Sequence, residues 1–89
     1  MIVRIMGEGQ FEVEGDDLDA LRHVDEALLE AVREGDGAAF SRHLGEAVAI
    51  VRRGRSLPIE ALRESDLVLP APDMTVQDAR KLFDEHQIL

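Results

Sequence analysis

The chain has 89 residues, 45% of them hydrophobic, and sets 19 acidic side chains against 10 basic ones for a formal net charge of −9. That length supports one core of secondary structure and leaves no room for a cofactor fold beside a substrate domain. The negative charge argues against nucleic acid and against direct contact with an anionic membrane, and three Phe with no Tyr or Trp leave no platform for stacking bases.

There is no cysteine, which excludes a disulfide, a thiolate metal site and a cysteine nucleophile. The start, MIVRIM, does not read as a signal peptide. No apolar run approaches the roughly 18 residues of a membrane span. A cytoplasmic chain of one domain, residues 1–89, is the expectation.

Taken in order, IVRIM (2–6) and QFEVE (10–14) flank a glycine turn and read as a β-hairpin, with Gly9 supplying a left-handed position. Val3, Ile5, Phe11 and Val13 share one face. Ile2 and Met6 fall on the other, which therefore calls for some cover. Asp16 and Asp17 offer an N-cap for a helix over about 17–34. Its stripe is Leu18, Leu21, Leu28, Leu29 and Val32, and Gly35 ends it. Asp36 caps a second helix that runs to about Arg53, with Phe40, Leu44, Ala47, Val48 and Val51 on its apolar side and Gly54 at its C′ position. So short a connection makes the pair an antiparallel hairpin.

Beyond Gly54 the pattern weakens. LPIEALRE suggests a short helix with Pro58 at its first position. SDLVLP reads as a strand or an extended ribbon, stopped by Pro70. Thr75 with Asp78 resembles a capping box for a last helix over about 76–86, which groups Val76, Ala79, Leu82 and Phe83. The fold class is α+β: an N-terminal β-hairpin, a helical hairpin, an extended ribbon or short third strand, and a C-terminal helix.

Candidate chemistry is sparse. His23-Val24-Asp25-Glu26 and His43-Leu44-Gly45-Glu46 both read H-x-x-E, the reverse of the di-iron order, and His23 and Glu46 point away from the apolar stripes. They read as surface residues. Asp16, Asp17 and Asp19 lack the alternation and central glycine of a calcium loop. Gly7-Glu8-Gly9 has no helix start and no Lys-Ser/Thr pair behind it, so it is a turn rather than a phosphate loop. No serine sits in a nucleophile-elbow context. These readings point to no enzyme, no metal and no cofactor. The basic cluster RRGR (52–55) reads as helix C-terminal arginines complementing the dipole, with an anchor for an acidic partner or lipid phosphate as the alternative.

Asp25 breaks the pattern, because it falls inside the apolar stripe of the first helix. An unpaired carboxylate there costs several kcal/mol, on the order of the price of burying a lone polar group. A partner is therefore expected: Arg4, Arg80, or the free amides of a nearby turn or helix start. The ribbon Leu67-Val68-Leu69-Pro70 either docks on its own domain or leaves apolar surface for another protein.

Several stretches recur in order: MIVRIMGEGQFEV, Leu21 and Asp25, Gly35-Asp36-Gly37-x-x-Phe40, and Ser65-Asp66-Leu67-Val68-Leu69-Pro70 followed by Asp73-x-Thr75. Together they resemble the PspA-associated protein (PspAA) family, small proteins of actinobacteria and archaea encoded beside phage-shock-protein-A homologues. The resemblance covers nearly the whole chain. It implies a soluble, non-enzymatic accessory of the envelope-stress response, acting by protein contact with a PspA-like coiled coil that maintains the membrane. The chain would then reach the inner face of the membrane through that partner, with no insertion of its own.

The family pattern carries no catalytic residues across. The positions of interest as interaction or structural-signature residues are Gly7, Glu8, Gly9, Asp25, Asp66, Leu67, Val68, Leu69, Pro70 and Asp73. Two other classes stay open: a self-associating homodimer that pairs a strand edge across a two-fold axis, and a small-ligand sensor built on Asp25.

Overall fold

The computed structural model describes residues 1–58 and 64–85, with side chains as far as Lys81. The hairpin forms as β1 (Ile2–Ile5) and β2 (Gly9–Glu12), antiparallel, with Val3 opposite Phe11 and Arg4 opposite Gln10. The Glu8 N–H donates to the Ile5 carbonyl at 2.9 Å across the turn. Gly9 takes the positive φ expected of it, at 134°, and Gly7 shares the turn at 85°. Val3, Ile5 and Val13 are fully buried, and Phe11 is half-buried against the same core.

Helix α1 (Gly15–Glu34) starts two residues earlier than the sequence suggested, and its cap is different. Glu14 holds the N-cap position and makes no side-chain bond to the helix; Asp16 and Asp17 lie in the first turn instead. Their charge meets the positive end of the dipole, so they act on the helix without capping it. The far end is as expected. Gly35, at φ 68°, donates to the Val32 carbonyl at 3.2 Å, and Asp36 donates to that of Ala31 at 3.0 Å. Those two bonds close a Schellman motif, which a left-handed glycine makes cheap. Asp36 then caps α2 (Gly37–Arg52), its Oδ1 accepting from the Ala39 N–H at 3.1 Å. The two helices pack on each other and on the Val3/Ile5 side of the sheet, around Leu21, Leu28, Phe40, Leu44, Val48 and Val51.

Gly54 does not have the left-handed C′ role the sequence suggested. Helix α2 ends through Arg53 in right-handed geometry, and Gly54 has no positive φ. It is glycine because a Cβ there would stand 2.3 Å from the Glu12 carbonyl oxygen. That close approach delivers β3 (Arg55–Ser56) antiparallel onto β2, a strand of two residues that no sequence pattern announced. The helix expected after Pro58 lies largely outside the described residues.

The ribbon is a strand. β4 (Leu67–Leu69) runs parallel to β1, pairing Val3 with Leu67 and Ile5 with Leu69. Among the described residues the sheet has four strands in the order β3-β2-β1-β4, so both late strands are edges. Helix α3 (Val76–Glu85) follows, started by Thr75, whose Oγ1 accepts from the Asp78 N–H at 3.2 Å. Val76 and Ala79 close the core; the side chains of Leu82 and Phe83 lie outside the described set.

Candidate functional site

The positions picked from the sequence do not assemble into one place. Because β4 runs parallel to β1, Leu69 and Pro70 lie at the same end of the sheet as the Gly7-Glu8-Gly9 turn, and the Met6 N–H donates to the Leu69 carbonyl at 3.0 Å. Asp66 is at the opposite end, Asp25 is on α1, and Asp73 lies beside Gly35 and Thr75 near the starts of α2 and α3.

The ribbon is tied into its own fold. The Asp66 carboxylate accepts from the Ile2 N–H at 2.8 Å, while the Asp66 N–H donates to the Ile2 carbonyl at 2.7 Å. Ser65 Oγ accepts from Gln10 Nε2 at 2.8 Å. Leu69 and Pro70 are fully buried, whereas Leu67 and Val68 are only half-buried. Leu67 faces the core. Val68, opposite Arg4, is on the outer face of the sheet. Ile2 and Gln10 are buried on that outer face, so it has part of the cover that Ile2 called for.

The basic cluster is committed to internal pairs. Arg52 grips Glu8 in the hairpin turn through both ends of its guanidinium, Nε to Oε2 at 3.2 Å and Nη2 to Oε1. Arg53 meets Asp17 at 3.2 Å, and Arg55 meets Glu12 at 3.3 Å. These pairs join the end of α2 and β3 to the turn, to β2 and to the start of α1. The Arg52 hydrogen bond holds the Glu8 carboxyl below its usual range. Local pattern could not show this, because each partner is more than thirty residues away in the chain.

Asp25 overturns the partner expected for it. Its Oδ1 is buried and accepts no hydrogen bond. Arg4 is on the outer face of the sheet, away from the helices, and the Arg80 guanidinium lies against Gly35 at the helix turn. Burial, and then the charge of neighbouring Glu26, raises the Asp25 carboxyl above its ordinary value. Asp25 lines neither the cavity beside Arg4 and Gln10 nor the one beside Gly35 and Asp73.

His43 Nδ1 lies 3.1 Å from Glu46 Oε1 in one H-x-x-E segment, on the surface of α2; His23 in the other is exposed. No group of three or more metal-type ligands occurs among the described residues. No described helix is long and apolar enough to cross a membrane.

The fold and these positions define a small α+β protein whose polar residues of interest mostly serve its own architecture. The chain belongs to the PspAA family of PspA-associated proteins, whose family model matches residues 1–89. No curated protein and no solved structure matches the chain.

Proposed function

We propose that the chain is a non-enzymatic cytoplasmic accessory of a PspA-type envelope-stress system, working by contact with the PspA-like coiled coil. The observation that carries this reading is the family match over the full 89 residues, a family described by its association with PspA. The chemistry of the chain agrees with a contact role. The carboxylates and arginines around the turn and β3 are spent on internal ion pairs, not gathered around a reaction centre. A surface of charge −9 meets basic stretches of a membrane-bound partner more readily than it meets the lipid itself.

Of the ribbon, Val68 is the residue best placed for contact. It is apolar, on the outer face, and part of an edge strand with no neighbour beyond it among the described residues. The turn Gly7-Glu8-Gly9 is the second contact position, at the same sheet end as Leu69. A pull-down against the PspA-like protein of the same organism tests this. Val68→Asp should stay folded by circular dichroism and lose the partner, whereas Leu69→Ala should lose about 2–5 kcal/mol of stability as a core cavity. Full binding by a folded Val68→Asp moves the interface away from β4.

A further inference from the structure

Asp25 is the polar group that the fold leaves unexplained. It occupies the apolar stripe of α1, with Leu21, Leu28 and Val32 buried to one side of it and Leu18 and Leu29 half-buried to the other. At about 100° per residue, Leu18 and Leu29 both lie within roughly 40° of it around the helix. Its Oδ1 is closed off from solvent without a hydrogen bond. Its Oδ2 is not closed off and has no partner either. The carboxylate therefore stands at the rim of the core, with one oxygen inside and one toward the surface.

The charged groups nearest to hand do not supply the missing donor. Arg22, one turn earlier on α1, is exposed and makes no ion pair with Asp25, and Glu26 adds like charge. Carboxylates elsewhere are engaged: Glu8, Glu12 and Asp17 by arginines, Asp36 and Asp66 by backbone N–H groups. Among the described residues, Asp25 is the side chain with a buried oxygen left bare. An unpaired buried carboxylate is a cost to the free chain. An arriving cation reverses it, because a charge-assisted bond to a partly desolvated carboxylate is stronger than one at an open surface.

We propose that Leu18, Asp25 and Leu29 form a docking surface for the PspA-like partner, in which Asp25 receives a lysine side chain of that partner. Only one carboxylate oxygen faces outward, so the two-pronged fork of an arginine has no matching pair of acceptors, whereas a lysine ammonium acts as a compact point charge. The aliphatic stem of a lysine packs along apolar surface while its head reaches a polar group, and Leu18 and Leu29 offer that surface. The identity of the partner rests on the PspA reading; the chemistry of the contact rests on Asp25. This surface is on the helical layer, whereas Val68 is on the outer face of the sheet, so variants at the two positions test separate contacts.

The test is calorimetric titration of the full chain into the PspA-like protein of the same organism. Asp25→Asn should fold, with a Tm no lower than wild type, and bind roughly 10- to 100-fold more weakly. Glu34→Gln removes the same charge from an exposed position nine residues on, the opposite side of α1, and should bind within about 2-fold of wild type. Zero-length carbodiimide cross-linking of the wild-type complex should join the Asp25 carboxyl to a partner lysine as an amide, with loss of water. The proposal is overturned by a folded Asp25→Asn that binds like wild type or like Glu34→Gln, or by cross-links at other acids alone. A link from Asp25 to Lys81, the chain's one lysine, in a species of doubled mass assigns the surface to a second copy and overturns it too. A wild type that does not bind removes the PspA reading and this contact together; a wild type that binds while Asp25→Asn binds equally removes this contact alone.

Discussion

Asp25 has one carboxylate oxygen buried without a donor, and that sets a pH dependence of defined sign. Burial raises its pKa in the folded chain above the ordinary 3.8. Between those two values the folded form holds more protons than the unfolded form, so stability falls as pH rises through that window. Above the folded value the cost is fully present. Asp25→Asn removes the charge and should raise stability by about 1 kcal/mol at pH 7, or roughly 4–8 °C in Tm. The difference between variant and wild type should shrink toward zero by about pH 3, where both side chains are neutral. Thermal unfolding at the two pH values checks it, and a destabilised Asp25→Asn at pH 7 would show that the carboxylate has a partner after all. Glu8 behaves oppositely. Its lowered pKa gives stability that is present above the ordinary 4.5 and lost as pH falls through the folded value. That Asp25 sits within the apolar stripe was legible from helical spacing alone. That its buried oxygen finds no donor was not, because pairing depends on where the arginines of other elements end up.

Among the elements, those that bury a periodic stripe were readable and those that exist only through partners were not. Both long helices, the Gly35 stop, the Asp36 cap and the Thr75 start follow from local chemistry, and each is present. The cap of α1 differs from the local expectation: Asp16 and Asp17 lie in the first turn, and Glu14 holds the N-cap position. β3 has two exposed residues and no apolar signature; it forms because the exit of α2 passes tightly over β2. Gly54 is the hinge of that passage. Gly54→Ala places a methyl at 2.3 Å from the Glu12 carbonyl oxygen, and a backbone atom cannot yield as a flexible side chain does. The expected loss is about 1–3 kcal/mol, the usual range for overpacking, together with loss of amide protection at Leu57, whose N–H bonds Gln10. A denaturant midpoint equal to wild type would contradict the close approach.

At the scale of the whole molecule, two sums decide behaviour. The first is charge. Self-repulsion at −9 opposes compaction, while the exposed ion pairs contribute little each. Raising NaCl from about 20 to 300 mM shortens the Debye length from roughly 20 to 6 Å and should therefore raise Tm; a falling Tm would mean that the ion pairs around β3 outweigh the repulsion. The second is the fate of the ribbon. Its apolar run reads first as a strand docked on its own domain, with part of it open to an interface, and the strand has both characters: Leu69 and Pro70 are buried, and Val68 stays half-exposed at a sheet edge. The direction of β4, parallel to β1, is a matter of how the chain returns past the helices, which no local pattern encodes.

Association with a PspA-like coiled coil is read from the molar mass in solution of the chain alone and mixed with that protein. Size-exclusion chromatography with light scattering reads both in one experiment. A 9.9 kDa monomer is expected alone, with transfer into the heavier PspA peak on mixing and Val68→Asp left behind as monomer. A chain that runs at twice that mass and never enters the PspA peak at any salt would contradict it, and would make self-association the function of the β4 edge.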